Sequence, residues 1–267
     1  MRPLTPAQWR RPVQLIDSHC HLDDDRFDPL RAEVIAEAAQ IGITRMIVPA
    51  TTANRWEKLK QLCDAEAGLY PAYGLHPMFV EQHQASHLRE LDEWLEREAA
   101  VAVGECGLDF YVSRVDEKWQ KCVFQEQLLL ADNHRLPVIV HARRALDEVI
   151  SLLRRQGRQG GVIHSFAGSE QQAGQLYDLG FKLGIAATVG FERARKLRAV
   201  VASMPLDALL LESDAPDQPG AAHRGQLNRP AYVVEHLQTI AELRQMDVGE
   251  LAAALTRNTE TLFNLGD

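Results

Sequence analysis

The chain has 267 residues, of which 46% are hydrophobic and 25% are charged, and its formal net charge is −8. This is the composition of an ordinary globular protein. The acidic balance argues against a sequence-reading nucleic-acid module, which usually carries a basic stripe. It does not exclude an enzyme that meets phosphates through bound metal ions, because those ions supply local positive charge.

The termini and loops of the chain lead to further expectations. Residues 1–11 lack the apolar segment of a signal peptide, and no apolar stretch is long enough to span a bilayer. We therefore expect a cytoplasmic protein without a membrane partner, and no obligate protein partner is evident. Residues 214–229 are typical of one long loop rather than a linker, so a single domain is expected over residues 1–267.

Short apolar runs alternate with amphipathic helical patterns along the chain. The predicted strands are 13–18, 44–50, 70–75, 100–105, 137–141, 161–164, 181–185 and 208–212. The predicted helices are 29–40, 55–66, 86–98, 117–134, 145–156, 170–179, 193–204, 230–244 and 247–262, the last with Asp247 as its cap.

Eight strand–helix repeats predict an α/β fold, a TIM (β/α)8 barrel. Runs such as Val138-Ile139-Val140 are apolar throughout, which is typical of parallel strands covered by helices on both faces. An open doubly wound sheet is the alternative. No glycine-rich nucleotide-binding motif follows any strand, so the nucleotide-binding versions of that alternative have no support.

Two histidines follow the first apolar run. His19 and His21 are two residues apart, and in an extended chain such residues share a face. Two imidazoles on one face can bind one metal ion together. Taken alone, the pair is equally well explained as two partly exposed histidines at a strand end.

Further candidate ligands stand at the same end of other predicted strands. Glu105 ends the fourth strand, His141 the fifth and His164 the sixth, and Asp214 follows the eighth. Each has a structural explanation by itself, as a hydrogen-bonded wall residue or the start of a turn. Because the carboxyl ends of barrel strands meet at one mouth, their joint occurrence predicts a metal site at the C-terminal strand ends.

The donor types limit the metal. Four imidazoles and two carboxylates suit Zn²⁺, Mn²⁺, Fe²⁺ or Co²⁺, and they suit Mg²⁺ less well because Mg²⁺ prefers oxygen ligands and water. Six side chains are too many for one catalytic ion that keeps an open position. They are enough for two divalent ions per chain that share a carboxylate, with the identity of the metal left open.

Several segments together form a recognisable pattern, and they extend over almost the whole chain after the first dozen residues. They are Asp17-Ser18-His19-Cys20-His21-Leu22-Asp23, Gly74-Leu75-His76-Pro77, Gly104-Glu105-Cys106-Gly107-Leu108-Asp109, Val140-His141-Ala142-Arg143, His164-Ser165-Phe166-Ala167-Gly168-Ser169, Glu212-Ser213-Asp214-Ala215-Pro216 and Asn228-Arg229-Pro230. With these segments the chain resembles the TatD family of metal-dependent deoxyribonucleases, in the amidohydrolase superfamily. Arg143-Arg144 and Ala215-Pro216-Asp217 look most like its YjjV branch.

The resemblance implies a division of the ligands. His19, His21 and Asp214 would hold one ion, and His141 and His164 would hold the second. Glu105 would bridge both, in the place where the superfamily often has a carbamylated lysine.

The chain also departs from the family at two positions. Ser213 stands where the family usually has Thr, and Arg144 stands where many members have Asp. The hydroxyl is kept at the first position. The second could alter the pocket rim, which leaves the substrate preference open.

The expected reaction is phosphodiester hydrolysis, as in a deoxyribonuclease, by a hydroxide that two metal ions activate. Asp214 and Glu105 are the predicted catalytic residues, with Asp214 as the acceptor of the water's proton. The expected partner is DNA or another phosphodiester. Two alternatives stay open: an amidohydrolase that cleaves a C–N or ester bond of a small cyclic substrate, and a non-catalytic metal-binding barrel.

Three further residues are candidates for substrate binding. His76 and Arg143 could hold phosphate oxygens, and Asp109 could orient a ligand histidine or a substrate group. The structural alternatives are a packing role for His76, an ion pair from Arg143 to Asp147 one turn on, and a loop cap at Asp109.

Four basic residues could flank the mouth and contact a nucleic acid. They follow the seventh predicted strand and are Arg193, Arg195, Lys196 and Arg198. A solvated helix face explains them as well.

Overall fold

The computed structural model describes residues 14–111 and 116–266. The interpretation of residues 1–11 and the first residue of the predicted strand 13–18 lie outside these ranges. The strands are β1 Leu15–Asp17, β2 Ile43–Pro49, β3 Leu69–Tyr73, β4 Ala102–Asp109, β5 Val138–Arg143, β6 Gly161–Ile163, β7 Phe181–Ile185 and β8 Leu209–Leu211. The helices are α1 Arg31–Gln40, α2 Trp56–Ala65, α3 Ala85–Arg97, α4 Glu117–His134, α5 Leu146–Gln156, α6 Glu170–Asp178, α7 Arg195–Ser203, α8 Val233–Arg244 and α9 Val248–Phe263.

All eight strands lie parallel in one sheet, in the order β1 to β8. The last strand returns to the first through backbone hydrogen bonds at their carboxyl ends. The N–H of Ser18 donates to the carbonyl of Leu211 at 3.0 Å, and the N–H of Asp214 donates to the carbonyl of His19 at 3.0 Å. The sheet therefore curls into a barrel, and the predicted (β/α)8 fold is confirmed.

A buried carboxylate reinforces this seam between β1 and β8. Oδ1 of Asp17 accepts the backbone N–H of His19 at 3.2 Å and the backbone N–H of Ser213 at 2.9 Å. One side chain thus fixes the two chain segments that follow β1 and β8. Both segments carry candidate ligands.

The interior of the barrel is filled by one apolar residue from each of seven strands, and α9 adds two side chains around its end. This cluster consists of Ile16, Ile47, Ala72, Ala102, Ile139, Val162, Leu210, Phe263 and Leu265. A second, larger cluster lies between the strands and the surrounding helices. The barrel is therefore a packed core, and its open mouth is left for polar groups.

Two of the predicted strands end too early. β4 continues beyond Glu105 to Asp109, and β5 continues beyond His141 to Arg143, because these extensions pair with each other in register. Gly107 permits the pairing, since a Cβ there would lie 2.1 Å from the carbonyl oxygen of His141. Glu105 and His141 consequently project from within strands rather than from their last residues.

The predicted cap of the last helix is confirmed. Asp247 precedes α9, and its Oδ1 accepts the backbone N–H groups of Gly249 and Glu250 at 2.9 and 3.1 Å. Within residues 14–111 and 116–266, no helix is long and apolar enough to cross a membrane.

The buried His236 of α8 makes the stability of the fold depend on pH. Burial lowers its pKa from 6.5 to about 4, and its Nδ1 lies 3.2 Å from the carbonyl oxygen of Glu212. The neutral ring is favoured in the fold, so its contribution is present above pH 6.5 and is lost as the pH falls toward 4.

We expect the difference in unfolding free energy between the wild type and His236→Asn to shrink by roughly 3 kcal/mol between pH 7 and pH 4. Urea denaturation at several pH values measures it. A constant difference over this range would show that His236 is protonated alike in both states.

Candidate metal centre

Four donor atoms converge from β4 and from the segments that follow β1 and β8. Oε2 of Glu105 lies 3.2 Å from Nε2 of His19 and 3.3 Å from Nε2 of His21. Oδ1 of Asp214 lies 3.5 and 3.7 Å from the same two nitrogens, which are 3.2 Å apart. Ligands placed tetrahedrally at about 2.1 Å from a zinc-sized ion would be about 3.4 Å apart. Within this first donor cluster, the donor atoms of His19, His21 and Asp214 all lie within 4.8 Å of one another, close enough to hold one metal ion.

A second donor cluster surrounds the other oxygen of the same glutamate. Oε1 of Glu105 lies 2.8 Å from Nε2 of His164 and 3.1 Å from Nδ1 of His141. The two ring nitrogens are 3.2 Å apart. Since each oxygen of Glu105 belongs to a different cluster, one carboxylate links the two sets of donors.

The orientation of Asp214 is set by its own loop. The residue has φ 57°, a left-handed conformation that Asp adopts more readily than most residues. Its Oδ2 accepts a hydrogen bond from Nε2 of Gln218, and Oε1 of Gln218 accepts one from the hydroxyl of Ser165 at 2.9 Å. Oδ1 is thereby left facing the two histidines.

His76 also contacts the shared glutamate, and its donor atom lies within 4.8 Å of those of Glu105 and His141. Its Nδ1 accepts the backbone N–H of Met78 at 3.0 Å, and its Nε2 lies 3.0 Å from Oε1 of Glu105. Burial lowers the pKa of His76, so the ring is neutral. When Nδ1 of a neutral imidazole accepts a hydrogen bond, the ring carries its hydrogen on Nε2. The Nε2–H of His76 therefore points into the centre as a hydrogen-bond donor.

Asp109 of β4 contacts His141 of β5. Its Oδ2 lies 3.0 Å from Nε2 of His141, and its Oδ1 accepts the backbone N–H of Tyr111 at 2.9 Å. The amide of Gln120 holds the Asp109 backbone on both sides, accepting its N–H at 2.9 Å and donating to its carbonyl at 3.1 Å. The carboxylate thus contacts both the histidine ring and the start of the following loop.

The electrostatics of the centre attract cations. Burial by itself raises the pKa of Glu105, but the surrounding imidazoles, His164 foremost, hold that pKa well below its ordinary value. Burial lowers the pKa of His164, yet the negative charge of Glu105 outweighs it and raises the pKa to about 10. Burial lowers the pKa of His19 to about 4, which favours its neutral ring.

Two buried acidic residues behind the ligands were missed by the sequence reasoning. Asp17 is fully buried at the seam, and Glu212 is fully buried beside β7, where its Oε1 accepts the backbone N–H of Ser165. Burial raises the pKa of Asp17 to about 7 and that of Glu212 to about 8. Their spacing was the available signal, because each stands two residues before a candidate ligand, His19 or Asp214.

The centre lies at the bottom of a cleft of about 1480 Å³. His76, Asp109 and Arg143 line this cleft together with five of the six predicted ligands, all but His19. The alternative prediction, an ion pair between Arg143 and Asp147, is wrong. The guanidinium of Arg143 instead lies over the ring of Tyr111, 3.6 Å from the ring centroid.

The four basic residues after β7 that could flank the mouth do not line the cleft. They are Arg193, Arg195, Lys196 and Arg198. Arg198 donates to the carbonyl of Val189 at 2.9 Å and is therefore used within the fold. Arg193, Arg195 and Lys196 are exposed.

The barrel and its two donor clusters define a metal-dependent hydrolase. The family described as TatD related DNase matches residues 16–264, and the chain belongs to this TatD family. It is 42% identical to the metal-dependent hydrolase YjjV of Escherichia coli (strain K12), over 94% of this chain and 98% of that protein. The metal-dependent hydrolase YabD of Bacillus subtilis (strain 168) is 32% identical, over 94% of this chain and 99% of that protein.

The similarity extends to three dimensions. The crystal structure of YjjV, a TatD homologue from Escherichia coli K12, superposes with a TM-score of 0.91 at 41% identity, over 94% of this chain and 98% of that chain. The predicted resemblance to the TatD family and its YjjV branch is confirmed.

The contact between Asp109 and His141 should tune metal affinity. We expect Asp109→Asn to weaken metal binding by about 10- to 100-fold, because a carboxylate on the far nitrogen orients a ligand histidine and makes it more basic. Competition with a fluorescent chelator measures the affinity. Asp92→Asn is the control, since Asp92 pairs with His134 outside the centre; equal affinities of the two variants would contradict the role of Asp109.

Proposed function

We propose that this hydrolase cleaves phosphodiesters, with DNA as the expected class of substrate, and that it uses two divalent ions. His19, His21 and Asp214 would hold one ion, His141 and His164 the other, and Glu105 would bridge them. The observation that carries the proposal is the division of the Glu105 carboxylate, with one oxygen in each donor cluster.

Two bound ions supply the Lewis acidity that lowers the pKa of a water and polarises a phosphoryl oxygen. The side chains of this protein would do the rest. Asp214 is the acceptor for the water's proton, because its Oδ1 belongs to the first cluster while Gln218 holds its other oxygen. Imidazoles on both sides hold Glu105 in place, and its carboxylate would fix the distance between the two clusters.

His76 would act on the substrate rather than on a metal. Its Nε2–H points into the centre, and the hydrogen bond from Met78 to Nδ1 fixes that tautomer. When a phosphoryl group enters, this donor can turn from Glu105 to an oxygen on which negative charge develops. Arg143, at the rim of the same cleft, adds a positive charge for the substrate.

The first test compares reaction classes. The metal-loaded protein is expected to hydrolyse bis(p-nitrophenyl) phosphate and single-stranded oligonucleotides, to lose this activity with a chelator and to regain it with Mn²⁺ or Zn²⁺. A panel of lactones and cyclic amides is assayed in parallel. Turnover of the panel without turnover of any phosphodiester would favour the amidohydrolase alternative, and no turnover at full metal loading would favour the non-catalytic one.

The role of Asp214 is tested by Asp214→Asn. We expect kcat to fall by about 10²- to 10⁴-fold, the usual contribution of a positioned proton acceptor, while the melting temperature changes little. Asp217→Asn is a matched control, because Asp217 stands on the same loop and is bound to Arg26 at the surface. Similar kcat values for both variants would exclude Asp214 as the acceptor.

The metal count is a separate measurement. The wild type is expected to bind two equivalents of divalent metal by mass spectrometry of the eluted ions, whereas His21→Ala and His141→Ala should each bind about one. Glu105→Gln should weaken both sites, because its carboxylate faces both clusters. A single equivalent in the wild type would contradict the two-ion arrangement.

A further inference from the structure

Three side chains form a cationic surface at the rim of the cleft. The guanidinium of Arg143 lies 3.6 Å from the ring centroid of Tyr111, and that of Arg144 lies 4.6 Å from the same centroid. Tyr111 is 50% exposed, and both arginines are exposed and line the cleft. We call these three residues the rim platform.

The rim platform brings two positive charges together, and the nearby carboxylate of Asp109 attracts Arg143 without forming an ion pair with it. Neither Arg143 nor Arg144 has a carboxylate within ion-pair distance among the described residues, although other arginines near the mouth do. Arg26, for example, pairs with Asp24 and Asp217. Two like charges on one ring repel each other, and an anion between them would remove that repulsion. Their planar groups match the oxygens of a phosphate.

The position of the rim platform relative to the centre is fixed by the strands. Arg143 stands two residues after His141 on β5, a rise of about 6.6 Å, and it is the register partner of Asp109 on β4. Tyr111 is tied to Asp109 through its backbone N–H. The platform therefore lies about one nucleotide away from the donor clusters, and stacking on Tyr111 limits the rotamers of Arg143 before any ligand arrives.

The cleft has room for more than the group that reacts. Its volume of about 1480 Å³ exceeds the roughly 300–1,000 Å³ of a typical small-molecule pocket. A small cyclic amide or lactone carries no charge that would use two free guanidinium groups. A chain with phosphates at regular intervals does.

We propose that the rim platform binds the phosphate next to the one that is cleaved, so that the preferred substrate is a polynucleotide with at least one phosphate beside the scissile bond. The inference rests on the phosphodiesterase activity proposed above. It makes Arg143 and Arg144 determinants of specificity and leaves the chemistry to the metal centre.

The experiment uses substrates that differ by one phosphate. The metal-loaded wild type is assayed on a thymidine dinucleotide without terminal phosphate and on the same dinucleotide with a 5′- or a 3′-terminal phosphate. For one of these two phosphorylated substrates, kcat/KM should be about 10-fold higher than for the dinucleotide without terminal phosphate, which is the size of effect of a hydrogen bond to a charged group. Arg144→Gln and Arg143→Gln should each remove most of this gain.

Arg154→Gln is the matched control. Arg154 is an exposed arginine in the last turn of α5, the helix that begins just after the rim platform, and its substitution should keep the full gain. With a longer oligonucleotide, the dependence of log kcat/KM on log salt should become shallower by about 0.7 in Arg144→Gln and remain unchanged in the control.

The outcomes separate this inference from the proposed function. If the wild type cleaves phosphodiesters without any gain from the added phosphate, or if Arg144→Gln and Arg154→Gln keep the same gain, the rim platform has no such role and the phosphodiesterase activity stands. If the metal-loaded wild type cleaves neither the dinucleotides nor bis(p-nitrophenyl) phosphate, the proposed function fails and this inference fails with it.

Discussion

The rest of the structure depends on a single buried carboxylate. Glu105 is 1% exposed, and an isolated charge at that depth would cost far more free energy than a fold can supply. It is tolerated because imidazoles from several strands surround both of its oxygens. The barrel brings distant parts of the chain to one acidic group, an arrangement that suits a bound metal cation.

Much of the fold and of the donor set could be predicted from the sequence because both have simple periodic signals. Apolar runs that alternate with helical patterns specify a barrel, and barrel topology alone brings the strand ends together. The exact strand ends could not be predicted. Glycines such as Gly107 reduce the apparent strand propensity of a segment, yet here the absence of a side chain is what lets β4 and β5 pair as far as Asp109 and Arg143.

The contacts that orient the ligands were harder to predict, for a physical reason. Gln218 reaches Asp214 only because the loop turns through left-handed conformations, and no period in the sequence encodes that turn. Arg143 shows the same limit. Helical spacing predicts Asp147, one turn away, as the partner of Arg143. The register of β4 and β5 instead pairs Arg143 with Asp109, and its guanidinium lies over the ring of Tyr111, two residues further on. The contact of Arg143 is thus decided by strand pairing and not by spacing along the chain.

The seam between β1 and β8 has a consequence for the order in which the protein is made. The first donor cluster takes His19 from one side of the seam and Asp214 from the other, and Asp17 ties the two sides together. During synthesis residue 19 leaves the ribosome long before residue 214, so this cluster cannot be completed until residue 214 has followed. The first donor cluster is thus assembled late, only once the two ends of the barrel have met.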